Sequence, residues 1–429
     1  MQAETRTVLV VGGRGFLGGF IVSSLRHRGW TVRVLARARG RRLDEDEVAG
    51  DITGMLTPAD WASALDGVDV VVNAAGILRE DGAQRFETVH VRAPLALAQA
   101  CGERRIRFVQ VSALGHPDDG GFIETKHRFD ASLLAMPVDA VVLRPSVVYS
   151  ERGSYGGTSL LRALAAFPWR QLVPGDGHWT FQPLAASDLA DVVSAACAGS
   201  MRGVFELGCE KPISLTDYQG RWRRWLGIAG DGCWRVPMPL VRAQVWLGER
   251  LAQGPVNRTI WNMLLRGNRT DAAAFDAAQK AFGVRLRSLD EVLATSPSQM
   301  QDRWAAQLYF LAPWLKWSMV ALWLASAWVG FVTPAEQIEA LAKDSALGNF
   351  HPADLARVTA GLDLLLGVAL AVLARPRPVV LAMFGMTLAY LVGIGMSLPV
   401  AFLDPFGGLI KNLALLPALA VLWVVVDRR

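Results

Sequence analysis

The chain has 429 residues, 52% of them hydrophobic and 19% charged, with a formal net charge of +5. Such a length exceeds one ordinary core, so two or more units are expected. The positive balance has no basic stripe with interleaved aromatics, which excludes nucleic acid as a partner. Its arginines cluster instead beside a glycine turn and beside apolar runs. Cys101, Cys197, Cys209 and Cys233 lack CxxC or zinc-type spacing and read as reduced thiols, with no metal site. No signal peptide is expected before the first strand.

The first predicted element is a strand, Thr7–Val11, apolar and β-branched. It runs into Gly12-Gly13-Arg14-Gly15-Phe16-Leu17-Gly18, and an amphipathic helix follows, with Phe20, Ile21 and Leu25 inward and a stop at Arg28-Gly29. This is the strand–loop–helix of a dinucleotide site. One glycine turns the chain, one admits the pyrophosphate, and one lets helix and strand pack. The helix N-terminus then faces the phosphates.

The second strand, Thr31–Leu35, leads to Arg37, with Arg39, Arg41 and Arg42 close behind. An NAD site would place an acid here; arginine instead favours the 2′-phosphate of NADP(H), leaving NAD(H) as the weaker fit. Arg14 is expected to reach the same group, and the alternative is a solvated basic turn. Asp51, followed by Ile52, is placed to meet the adenine. Asn73-Ala74-Ala75-Gly76 ends the next strand, Asp69–Asn73, where small residues let the chain pass near ribose and nicotinamide. Ile106–Val111 and Ala140–Leu143 complete the strands, with a helical pattern over Pro94–Cys101.

Alternating strand and helix define an α/β fold, a doubly wound parallel Rossmann sheet with a small substrate lobe. We place this unit at residues 1–298, its lobe mainly at 150–298 and rich in Trp and Pro. Within the lobe, Val241–Leu251 either packs on the core or lies on a bilayer surface. Residues 299–429 are predicted to be an all-α transmembrane domain of four helices, near Leu311–Val332, Leu355–Ala374, Val379–Leu398 and Leu409–Val426. Arg375-Pro376-Arg377-Pro378 and Asp427-Arg428-Arg429 are basic, whereas Thr333–Ala353 is more acidic than basic. The positive-inside rule then puts the N-terminal unit in the cytoplasm of a multi-pass protein of a bacterial-type inner membrane. Trp314, Trp317, Trp328 and Trp423 fall near span ends. Asp363 lies deep in the second span, where a carboxylate needs a partner or a proton. Lys411 and Asn412 are candidate partners, and a structural pair competes with a proton or quinone site.

Taken together, the glycine loop, Asn73-Ala74-Ala75-Gly76, Val111-Ser112-Ala113-Leu114-Gly115 and Leu143-Arg144-Pro145-Ser146-Val147-Val148-Tyr149 resemble the extended, atypical short-chain dehydrogenases/reductases. They resemble more narrowly the group that contains the nucleotide-binding accessory subunit of respiratory complex I. Phe181-Gln182-Pro183 and Asp188-Leu189-Ala190 are also similar to that group. The likeness covers residues 5–295, and the tail resembles the DoxX-like four-helix membrane domain. What the resemblance implies is a Tyr-x-x-x-Lys pair and a serine: Ser112 fits the serine and Lys126 the lysine that binds the nicotinamide ribose, with Pro145 beside the cofactor. Phe122 stands where the tyrosine proton donor would be. His116, His127, Tyr149 and Tyr155 are weaker donor candidates, and His90 reads as a packing or hydrogen-bonding residue.

Two functions follow. One is a membrane-anchored NADP(H)-binding oxidoreductase for a lipophilic small molecule, a quinone or an isoprenoid-like ketone. The other is an inactive NADPH-binding module that stabilises a membrane-protein complex or a homo-oligomer.

Overall fold

The computed structural model describes residues 6–38, 42–250, 258–343, 345–402 and 408–426. Arg39, Arg41 and the terminal Asp427-Arg428-Arg429 lie outside these, as does part of the loop after Pro399. The chain divides into two compact units, Met1–Ala306 and Gln307–Arg429.

The first unit is built on seven strands: β1 Thr7–Val11, β2 Thr31–Ala36, β3 Glu47–Ala49, β4 Val70–Asn73, β5 Arg107–Val111, β6 Ala140–Pro145 and β7 Gly203–Leu207. They lie in the order β7-β6-β5-β4-β1-β2-β3, every pair parallel. Their apolar runs are unbroken because both faces are covered. Helix α1, Phe16–His27, and the helix Ala186–Ala198 pack Ile21, Leu25, Leu189 and Val193 over Val8, Val10 and Val72. On the other face α2, Ala93–Arg104, and α3, Gly121–Ala135, bring Leu97, Cys101, Phe129 and Leu133 to Leu9, Val11 and Val71. The strand order reverses between β1 and β4, so the ligand crevice opens beyond their carboxyl ends. The lobe has its own core of Tyr149, Phe181, Leu215, Tyr218, Trp222, Leu289 and Val292. Two motif residues are structural there: the Gln182 amide bridges Thr270 and the Cys209 carbonyl, and Asp188 pairs with Arg287 at 2.9 Å.

Among the described residues, three helices are long and apolar enough to cross a bilayer: Met300–Val332, Pro352–Val372 and Arg377–Ser397. The expected fourth span is shortened to the 14-residue helix Asn412–Val425, because residues 408–411 form a turn. At about 1.5 Å per residue that helix reaches about 21 Å, short of the roughly 30 Å hydrocarbon core. Met319, Trp323, Leu370, Met383, Leu419 and Leu422 pack inward, while Trp314, Leu365 and Met396 are exposed. Helices apolar on both their packed and their outer faces suit a lipid surround.

Asp363 is buried, and its carboxylate accepts from Ser326 Oγ at 2.7 Å and Tyr390 OH at 3.1 Å. Its partners are therefore hydroxyls of two neighbouring helices, a correction to the expected pairing with Lys411 or Asn412. Removing the carboxylate strands both hydroxyls in a medium without water. Asp363→Ala is expected to lower stability by about 1–2 kcal/mol, more than Asp363→Asn, in detergent-denaturation titrations. Equal loss for the two variants would refute this role.

Candidate dinucleotide and catalytic site

The glycine loop joins β1 to α1 at the crevice. Gly12 has φ +84°, and a Cβ there would stand 2.8 Å from the Ala75 nitrogen; at Gly18 a Cβ would stand 2.1 Å from the Gly12 carbonyl oxygen. Neither position has room for a side chain. At Gly15, by contrast, a Cβ would meet the Gly12 carbonyl at 3.1 Å and otherwise open space. Gly15 caps α1, whose first turn carries no acid. Bare backbone at a helix N-terminus with no acid in its first turn fits a pyrophosphate. Gly18→Ala is expected to destabilise the first unit by about 1–3 kcal/mol, because backbone rather than a movable side chain blocks the methyl. Thermal unfolding checks it, and an unchanged midpoint would disprove the close approach.

Around this loop, Gly13 lies over Val34 and Val22, so it serves packing. Phe16 is stacked under Tyr155 with ring centroids 6.0 Å apart, while Leu17 packs against the core cluster behind β1. Tyr155 thus covers the loop. Arg14 bonds Asp44 at 2.9 Å and also Glu47, an arrangement that ties it to one acid before β3 and to the first residue of β3. Arg37 is exposed just past β2, and Arg42 is exposed further along. Asp51 is exposed and caps its own turn, accepting from the Thr53 nitrogen at 3.0 Å and hydroxyl at 2.9 Å; Ile52 packs in the same cluster as Ala75. Asn73 is buried, gives an amide hydrogen to Gln110 Oε1 at 2.8 Å and accepts from the Ala75 nitrogen at 3.3 Å. That pair fixes how Ala74, Ala75 and Gly76 leave β4.

Lys126 reaches this exit from α3. Its Nζ donates to Val111 O at 3.0 Å and Ala75 O at 3.4 Å, and a Cβ on Gly76 would touch it at 3.4 Å. Burial pulls its pKa down to about 8, with the Asp130 carboxylate opposing. One turn earlier Phe122 occupies the same helix face, its centroid 6.0 Å from Nζ. Phe86 and His90 close around that ring at 6.5 and 5.5 Å. His90 comes from the widened turn Glu87–Arg92; its Nε2 accepts from the Ile77 nitrogen at 3.1 Å, so Nδ1 carries the proton towards Thr125 Oγ1 at 2.9 Å. Desolvation holds its pKa near 2, so the ring stays neutral with both nitrogens committed.

Ser112 is also buried, and its hydroxyl donates to Asp130 Oδ2 at 2.7 Å, where Arg144 Nε joins at 2.9 Å. That proton is therefore already engaged. Asp130 was not foreseen, although it sits four residues past Lys126 on one helix face. Pro145 ends β6, and its carbonyl accepts from Leu114 N at 2.9 Å. Tyr149 is sealed in the lobe core against Tyr218 and Trp222, and burial pushes its phenol far up. His127 bonds the Ala113 carbonyl at 2.9 Å, and exposed His116 caps the turn Pro117–Asp119.

Glycine cradle, β4 exit and buried lysine define a Rossmann-type dinucleotide site. Comparison with known proteins agrees: residues 8–206 match the NAD dependent epimerase/dehydratase family, and residues 320–422 match the DoxX-like family. The ceramide reductase of Caulobacter vibrioides is 28% identical over 157 residues, 35% of this chain and 49% of that protein. The chain thus spans about half the length of this curated relative. Epimerase Mth375 from Methanothermobacter thermautotrophicus superimposes with a TM-score of 0.52 at 16% identity, covering 72% of this chain and 94% of that one. The UDP-glucuronic acid 4-epimerase from Bacillus cereus, solved with UDP-glucuronic acid and NAD, gives 0.50 at 17%, covering 71% and 100%. The chain joins a Rossmann domain like those of the NAD-dependent short-chain dehydrogenases and epimerases to a DoxX-like membrane domain.

Proposed function

We propose that the protein is a membrane-anchored, NAD(P)(H)-binding oxidoreductase of the short-chain dehydrogenase type that reduces a carbonyl on a lipid-borne substrate. The observation that carries this reading is the buried Lys126 ammonium against Gly76, beyond the ends of β4 and β5. The likeness to a ceramide reductase supports a long-chain ketone of the sphingolipid class over a quinone. Bound reduced coenzyme would supply hydride to the carbonyl carbon. The chain's own residues do the rest. The Gly12–Gly18 backbone holds the pyrophosphate, and Asn73 shapes the ribose passage. Lys126 has two hydrogens on protein carbonyls and a third for ribose hydroxyls or the substrate oxygen. Ser112 acts as a positioning residue, because its proton is given to Asp130. The basic loop Arg375-Pro376-Arg377-Pro378 and the basic Asp427-Arg428-Arg429, set against the more acidic Thr333–Ala353, support a cytoplasmic first unit in a bacterial-type inner membrane.

Coenzyme choice rests on Arg37, since Arg14 is paired with Asp44 and Glu47. We assign NADP(H). Arg37→Ala is expected to weaken NADPH binding by about tenfold, one charge-assisted hydrogen bond, and to leave NADH unchanged. Equal effects on both would reverse the assignment.

Phe122 favours a second reading, a coenzyme-binding module that stabilises a membrane complex, because the usual proton donor is missing. The deciding experiment uses the detergent-solubilised full chain. NADPH binding is measured by calorimetry, and NADPH oxidation is followed with a 3-oxo long-chain lipid and with a quinone panel. Binding with turnover of the ketone supports the reductase; binding without any turnover leaves the module; no binding removes both.

A further inference from the structure

Aromatic side chains are exposed on one part of the substrate lobe. Trp169 is 77% exposed although its backbone sits at φ +62°, a conformation costing an L-residue roughly 1–2 kcal/mol. Trp234 lies 6.5 Å from it, ring to ring, and Phe167 lies 6.2 Å from Trp234. Trp169 and Trp234 are exposed and stand outside the lobe's core cluster, with half-buried Phe167 packed against Trp234. Arg170 borders them, its side chain lying over Gly232. Asp231 is the acid beside it in the chain.

The segment up to Ala306 packs on the lobe near this cluster. Ala166, one residue before Phe167, is buried with Leu226 and Ala306. Trp225 donates to the Ser296 carbonyl, and its own carbonyl accepts from Ser298. The opening turns of Met300–Val332 are thereby fastened to the lobe beside the aromatic cluster. Trp304, 59% exposed, stands on those turns, next to Arg303.

We propose that Phe167, Trp169, Trp234 and Trp304, edged by Arg170 and Arg303, form a surface that docks on the headgroup layer of an anionic bilayer. Amphipathic indole rings favour that layer, and arginines complement acidic lipid phosphates. The rings lie on the lobe, so docking presents the substrate lobe to lipid and gives a long-chain substrate a path that avoids water. This last consequence rests on the reductase reading; the docking itself does not.

The test uses the full chain in nanodiscs. In a Cys233→Ser background, nitroxides are attached at Trp169→Cys or Trp234→Cys, with Leu134→Cys on α3 as the control, since the other cysteines are buried. Collision with a water-soluble nickel chelate, relative to oxygen, reads immersion. In discs containing phosphatidylglycerol, labels at 169 and 234 are expected to be severalfold less accessible to nickel than the label at 134. Arg170→Glu with Arg303→Glu is expected to reduce that protection. Accessibility equal to the control, in protein whose thermal midpoint is unchanged, overturns the proposal. Protection accompanied by dipolar broadening between labels also overturns it, by assigning the surface to a second copy of the chain. None of these readouts depends on coenzyme or turnover, so failure here and failure of the reductase reading are distinct.

Discussion

Phe122→Tyr is expected to raise ketone reduction by about 10²–10⁴-fold, the usual worth of a positioned general acid. The reasoning starts from helix geometry. Residues 122 and 126 are one turn apart on α3, and the Lys126 ammonium already lies 6.0 Å from the ring centroid. A hydroxyl added there joins a half-buried ring on the face that carries the lysine. The neighbouring positive charge lowers the phenol pKa and so readies its proton for transfer. Phe86 and His90 hold the ring from the other sides, so the new hydroxyl gains position without a change of fold. Steady-state NADPH oxidation with the 3-oxo lipid checks this, with Phe122→Leu as a packing control that should not accelerate. Tyrosine variants that bind NADPH yet show no faster turnover would place the reacting carbon elsewhere and favour the binding module.

The same site shows what a sequence can and cannot disclose. The strand–glycine–helix unit was legible because local rules act on contiguous residues: β-branched strand, tight turn, helix start. Lys126 and Phe122 were legible through the Tyr-x-x-x-Lys pair that the family resemblance implies. The pairing of Arg14 with Asp44 and Glu47 was not legible, since these acids are distant in sequence and approach through strand pairing. Asp130 carried a usable signal, the i+4 relation to Lys126, which helical periodicity would have found. Tyr149 belonged to a strand motif, but nothing local predicted Tyr218 and Trp222 closing over it. In the tail, hydropathy gave four apolar runs and could not see that the last begins as a turn. Nor could it pair Asp363, whose hydroxyl partners stand 37 and 27 residues away. Contacts made by the tertiary fold are what sequence spacing leaves out.

Lys126 links binding to stability with a sign that can be worked out. In the unfolded chain its pKa is near 10.5; in the fold burial lowers it to about 8. Between these values the unfolded chain holds a proton that the folded chain has lost, so stability rises with pH. Below about pH 8 the full penalty applies, about 3 kcal/mol from the size of the shift. Buried Cys101 and Cys197 act oppositely. Their thiols are pushed up to about 12, so the unfolded chain releases protons first above pH 9 and stability falls. Subtracting the Lys126→Met variant removes these shared contributions. The stability of wild type relative to Lys126→Met is therefore expected to climb by about 3 kcal/mol between pH 8 and 10.5 and to be flat below pH 7. Coenzyme is expected to reverse the penalty, because ribose hydroxyls held by Lys126 would solvate the ammonium and favour its charged form. NADPH binding near pH 9 should then take up a proton, seen as a calorimetric heat that varies with buffer ionisation, and Lys126→Met should abolish that uptake. A flat difference curve with no proton uptake would mean that the lysine stays hydrated and charged in the fold, which would overturn its burial against Gly76.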